Sequence, residues 1–157
     1  MPPAPETRVL PVGPAKVDPP AQAQPVGLAR AALGFPSPAD DYEDDGIDLN
    51  AYLVRNPAAT YYYRAEGLSM TGAGIFPGDL LAVDRSVTPL DGNIVIASWD
   101  GNAPSCKVLR LFDDHVELEC RNPECQNIVL KPGTEVEIFV VTGVVRLIRR
   151  EHGRNGR

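Results

Sequence analysis

Proline is spread so unevenly along this chain that it divides the sequence before any other property does. Eight of the 16 prolines fall in residues 1–33, at positions 2, 3, 5, 11, 14, 19, 20 and 25. Proline fixes φ and lacks the backbone N–H, so it disfavours helix and interior strand. Large apolar side chains are sparse there and aromatics are absent, which argues against a packed core. Residues 1–33 therefore predict an extended or polyproline-like arm, whose removal should leave a stable domain. Only Gly27-Leu28-Ala29-Arg30-Ala31-Ala32-Leu33 leans towards helix. Gly34-Phe35-Pro36-Ser37-Pro38 then forces an extended path, because residues before proline avoid the α region.

The remainder reads differently. Asp48 can cap a short helix with Leu49, Tyr52 and Leu53 at i, i+3, i+4 spacing, and Pro57 ends it. Short apolar runs follow, separated by turn signals such as Pro77-Gly78-Asp79, Asp91-Gly92 and Asp100-Gly101-Asn102. They predict strands over 60–65, 80–83, 94–99, the run carrying Lys107, 116–119 and 136–148. The expected fold is a mainly antiparallel β domain with an extended N-terminal arm. No helix-turn-helix can be built, because the proline-rich arm cannot supply two packed helices.

Composition bounds the function. At 157 residues the chain suits one core-bearing domain and a tail. No run of about 18 apolar residues predicts a membrane span, and no basic-then-apolar leader predicts secretion, so a cytoplasmic location is expected. Three cysteines, Cys106, Cys120 and Cys125, are an odd number, and no second Cys or His pair completes a zinc site, so free thiols and no metal are expected. A net charge of −6 argues against strong direct nucleic-acid binding. The acidic run between Asp40 and Asp48 reads as a solvated linker. The tail at 149–157 reads as a basic, frayed terminus.

One pair of motifs carries chemistry. Gly67-Leu68-Ser69-Met70 sets a serine just after a strand-like run, and Cys106-Lys107-Val108 sets a lysine inside an apolar one. A serine needs a base to take its proton as it attacks a carbonyl. A lysine can serve only when neutral, and burial among apolar neighbours such as Val108, Leu109 and Leu111 favours that form. The backbone N–H of Ser69, with that of Leu68 or a neighbour, is the candidate oxyanion donor pair. His115 follows Asp113-Asp114 in a turn and His152 lies in the tail, so neither suits a Ser-His-Asp triad. The competing reading is a turn serine and a strand lysine whose stem lies on apolar surface with its amine in solvent.

The flanking blocks decide between them. Gly34-Phe35-Pro36-Ser37-Pro38-Ala39, Ile47-Asp48-Leu49-Asn50, Ala59-Thr60-Tyr61-Tyr62 before Gly67-Leu68-Ser69-Met70, Gly78 to Asp84, Asp91 to Ala97 and Val141-Thr142-Gly143-Val144-Val145 occur in register. Over residues 34–146 the chain resembles the UmuD-like mutagenesis proteins of the LexA/UmuD self-cleaving serine peptidase family. The resemblance implies a LexA-like antiparallel β domain at 34–148 behind a cleavable arm at 1–33. It puts Ser69 on the family nucleophile, Lys107 on the family base and the cleaved bond between Leu33 and Gly34. Leu33 departs from the alanine or cysteine usual before that bond. The resemblance further implies an SOS-response homodimer that cleaves itself on a RecA–single-stranded DNA filament. The shortened form would then act with a Y-family translesion polymerase, and no cofactor is called for. A signal-peptidase-like enzyme and a catalytically idle dimeric interaction protein are the alternatives.

Overall fold

A computed structural model describes residues 7–17, 19, 23–24 and 46–148. The helical leaning at 27–33, the Leu33-Gly34 bond, most of the acidic run and the tail at 149–157 lie outside the described residues.

The elements follow in the order β1 (Arg8–Pro14), β2 (Ala23–Gln24), β3 (Ile47–Asp48), α1 (Leu49–Leu53), a 3-10 turn (Pro57–Ala59), β4 (Thr60–Glu66), a second 3-10 turn (Thr71–Ala73), β5 (Leu80–Asp84), β6 (Ile94–Trp99), β7 (Ser105–Leu111), β8 (Val116–Glu119), β9 (Ile128–Leu130) and β10 (Val136–Val145). The fold is mainly antiparallel β, as expected from the sequence. Asp48 caps α1 by accepting from the N–H groups of Asn50 and Ala51.

The main sheet runs β1-β4-β5-β10-β6-β7-β8-β9. β1 also pairs with β7, at Arg8 opposite Ser105, so six strands close into a ring through β1. Apolar residues pack in two clusters. Ile96, Cys106 and Val108 belong to one, with Met70, Leu81 and Val83. Val95, Ala97 and Leu109 belong to the other, with Leu118, Leu130 and Val140. Successive strand residues face opposite sides, so β6 and β7 feed both clusters. This explains why β7 is buried from Ser105 through Leu109 rather than at alternate positions.

Four expectations need correction. Residues 7–15 are not outside the core: Val9 packs in the first cluster, and Thr7 and Ala15 are buried. Prolines 11 and 14 are tolerated because β1 meets β7 only at its start. Beyond it no described strand pairs with that side, and its register with β4 slips between Pro11 and Gly13, where an edge or bulge accepts a missing donor. Second, β9 was not expected; it pairs with β8 after the turn at 120–127. Third, β10 stops at Val145, opposite the first residue of β5, instead of reaching Ile148. Fourth, Cys120 and Cys125 are joined by a disulfide. The intervening turn brings their Cα atoms to 6.0 Å. Cys106 remains a free, buried thiol.

Candidate active site

The turn that carries Ser69 begins where β4 ends. Gly67 takes φ +90°, a conformation that side chains resist, and this swings the chain off the strand direction. Met70 is fully buried in the first apolar cluster and anchors the turn from inside. Leu68, on the other side of Ser69, is exposed. Arg146 steadies the segment that follows. It binds both carboxylate oxygens of Asp79, at 2.6 and 2.5 Å, and donates to the Gly74 carbonyl at 2.7 Å. The Arg146 guanidinium holds the Asp79 carboxyl below its ordinary value.

Ser69 and Lys107 are both 0 % exposed. The reading of Lys107 as a solvent-facing strand lysine is therefore excluded. β7 places it opposite Val95 and between Cys106 and Val108, all buried. Burial pushes the neighbouring Cys106 thiol up to about 12, against the pull of the Lys107 charge, so that thiol packs and does not titrate near neutrality.

Thr7 connects the two strands. Its N–H donates to Ser69 Oγ at 2.8 Å, and Ser69 Oγ–H donates to Thr7 Oγ1 at 2.7 Å. The Cys106 N–H donates to the Thr7 carbonyl at 3.0 Å. One residue thus touches Ser69 on one side and the backbone next to Lys107 on the other. An extended peptide segment runs between the strand that leads to Ser69 and the strand that carries Lys107.

A second segment grips the backbone of the serine turn. The Arg121 N–H donates to the Ser69 carbonyl at 2.8 Å, and the Gly72 N–H donates to the Arg121 carbonyl at 2.7 Å. A Cβ on Gly72 would stand 2.5 Å from that carbonyl oxygen, so only glycine permits the approach. Asn122 Nδ2 donates to the Leu68 carbonyl at 2.8 Å. No described residue accepts from the N–H of Leu68 or of Ser69, the two expected oxyanion donors.

Sequence reasoning missed Thr7, Gly72, Arg121 and Asn122. Nothing local marks Thr7, whereas Asn122-Pro123 between two cysteines is a turn signal that could have directed attention to 120–125. His115 has both ring nitrogens engaged, by Asp114 and Glu117 at 2.7 and 3.0 Å, and both carboxylates raise its pKa. Among the described residues no group of three or more His, Cys, Asp and Glu could hold a metal, and no helix is long and apolar enough to cross a membrane.

The Peptidase S24-like pattern matches residues 25–145, most of the chain. The chain belongs to the Peptidase S24-like family. Protein ImpA of Escherichia coli is 47% identical over 126 residues, which cover 80% of this chain and 86% of ImpA. Protein SamA of Salmonella typhimurium is 51% identical over 77 residues, covering 49% of this chain and 55% of SamA. The LexA repressor of Cupriavidus taiwanensis is 36% identical over 120 residues, covering 76% of this chain and 54% of the repressor. The match thus spans about half the length of SamA and of the repressor. Within this serine peptidase family the chain is UmuD-like, in agreement with the blocks read from the sequence.

Proposed function

We propose that the chain is a self-cleaving factor of the bacterial DNA-damage response, with Ser69 as nucleophile, Lys107 as base and Leu33-Gly34 as the bond it cuts. The observation that carries this reading is the extended segment at Thr7. The protein already accepts a peptide of its own chain between a buried serine and the strand of a buried lysine. Ser69 Oγ would bond to the Leu33 carbonyl carbon as its proton passes to Lys107 Nζ. The oxyanion would be met by the Leu68 and Ser69 N–H groups. Collapse then breaks the Leu33–Gly34 bond, Lys107 returns the proton to the Gly34 amine, and water hydrolyses the acyl group from Ser69. A glycine after the bond suits a crowded cleft because it brings no Cβ. Because the arm is tethered, its effective concentration is high and modest chemistry suffices.

In the arrangement described, Thr7 has to withdraw first. Its N–H and its Oγ1 both engage Ser69 Oγ. The Ser69 hydroxyl donates to Thr7 Oγ1. The Leu33-Gly34 segment needs the same place. A RecA–single-stranded DNA filament would favour the exchange. The shortened homodimer, in the cytoplasm, would then act with a Y-family translesion polymerase. The satisfied hydroxyl of Ser69, together with the bulk of Leu33, favours one second reading, a catalytically idle interaction protein.

A time course of the fragment that starts at Gly34, followed by mass spectrometry from neutral to alkaline pH, separates the two. Wild type should cleave faster as pH rises, because only the neutral amine accepts a proton. Ser69→Ala, Lys107→Ala and Lys107→Arg should yield no fragment, the last because guanidinium stays protonated. A Lys107→Arg protein that cleaves like wild type would end the dyad reading.

A further inference from the structure

The peptide unit between residues 68 and 69 is a rigid plane, and the described chain contains no cis peptide bond. The Leu68 carbonyl and the Ser69 N–H therefore point in opposite directions from one plane. Whatever fixes the carbonyl also aims the N–H. Within the serine turn that carbonyl accepts from the Thr71 N–H at 3.3 Å and from Thr71 Oγ1 at 3.1 Å. From outside the turn Asn122 Nδ2 donates to it at 2.8 Å, and Asn122 Oδ1 accepts from the Glu124 N–H at 2.9 Å. The Glu124 bond leaves the amide one orientation, with Nδ2 towards Leu68. The turn behind it is closed by the Cys120–Cys125 disulfide, by the Cys125 N–H on the Asn122 carbonyl at 3.0 Å and by Asn127 Oδ1 on the Cys120 N–H at 3.1 Å. The Arg121 N–H does the same for the next plane: it holds the Ser69 carbonyl and so aims the Met70 N–H.

We propose that Asn122 is a positioning residue. From its closed turn it supplies the shortest of three bonds to the Leu68 carbonyl, and the one that comes from outside the serine turn, and so aims the Ser69 N–H at the oxyanion. The inference rests on the reading of Ser69 as nucleophile. A donor on the carbonyl also polarises the shared amide and strengthens its N–H as a donor. Asn122 touches neither the reacting atoms nor the base, so it should act on the size of the rate and not on its titration.

The test uses the full chain as wild type, Ser69→Ala, Asn122→Ala and Asn122→Asp. Self-cleavage is followed from neutral to alkaline pH, with thermal unfolding measured alongside. Asn122→Ala and Asn122→Asp should lower the alkaline rate by about 10- to 100-fold, the scale on which small misplacements of catalytic groups act. The pH midpoint should stay that of wild type, and Tm should change little. In the Asn122→Ala protein the Ser69 amide resonance in ¹H–¹⁵N NMR should move. A wild-type rate in both variants overturns the inference. So does a rate loss that only tracks a fall in Tm and vanishes on cooling. If wild type yields fragment that Ser69→Ala does not, while Asn122→Ala equals wild type, only this inference falls. If wild type yields no Ser69-dependent fragment, the nucleophile reading falls and this falls with it.

Discussion

Two segments meet Ser69, and they treat it in opposite ways. Residues 7–14 reach its side chain: Thr7 both donates to and accepts from the hydroxyl. Residues 120–125 reach only its backbone, through the Ser69 and Leu68 carbonyls. The first is a strand held by ladder bonds and one core valine, with prolines in its outer half. The second is a short turn closed by a covalent bond. In the proposed reaction a group on the hydroxyl must leave before chemistry, and a group on the backbone must stay. The reversible attachment belongs to the first and the permanent one to the second.

The largest effect that would break this comparison is loss of β1 as a whole. A protein beginning at Gly34 lacks the buried Val9, Thr7 and Ala15 and the pairing with β4. Val9 alone accounts for about 2 kcal/mol of burial. The truncated protein should therefore melt at least about 5 °C below the full chain, on the scale of 2–4 °C per kcal/mol for a chain of this size. Equal melting temperatures would mean that β1 only covers the site and closes no barrel.

This expectation reverses what the proline count suggested. Composition describes how residues 7–14 behave alone, and alone they have no reason to order. Their strand exists because β4 and β7 leave a slot between them, which is a property of distant residues. Strands β4 through β8 were legible because their turns are local and their apolar runs are long enough to bury. β9 has only three residues and was not. Of the candidate site, Ser69 and Lys107 were singled out through their flanking blocks, and the structure buries both. Asn122 was not, because its task is defined by a carbonyl 54 residues away. The cysteine pairing was missed for a related reason: an odd count says nothing about which two thiols a turn brings together.

The permanent side of the comparison can be sharpened through Asp79. Its carboxyl, held low chiefly by the Arg146 bond, also accepts the Phe76 N–H at 2.8 Å and so ties down the segment after Ser69. A group with a depressed folded pKa contributes stability that is present above its unfolded value. That stability is lost as pH falls through the folded value. The full chain should thus lose stability below about pH 4, the ordinary carboxylate range. Asp79→Asn should remove about 2 kcal/mol at neutral pH and flatten that acid loss. The figure is below that for a fully buried pair, because Arg146 is half-exposed and water can take up its charge. Denaturant unfolding from neutral pH into acid measures both. An unchanged acid limb in Asp79→Asn would assign the acid sensitivity to other carboxylates.

The smallest effect tests the reversible side, and it has the opposite sign. Thr7→Val keeps the shape of the side chain and the Thr7 N–H bond to Ser69 Oγ, but removes the oxygen that accepts the serine proton. One neutral hydrogen bond contributes about 1 kcal/mol. If β1 must lift away before Leu33-Gly34 can enter, weakening its hold by that amount raises the competent fraction about fivefold. Self-cleavage should then run about fivefold faster than wild type without a filament. The pH midpoint should not move, because the base is untouched. Were Thr7 instead a passive part of the wall, the same substitution would leave the rate alone or lower it through a poorer fit around Ser69. A time course of the Gly34 fragment from the two proteins reads the difference directly, and a rate at or below wild type removes Thr7 as the group that holds the nucleophile in check.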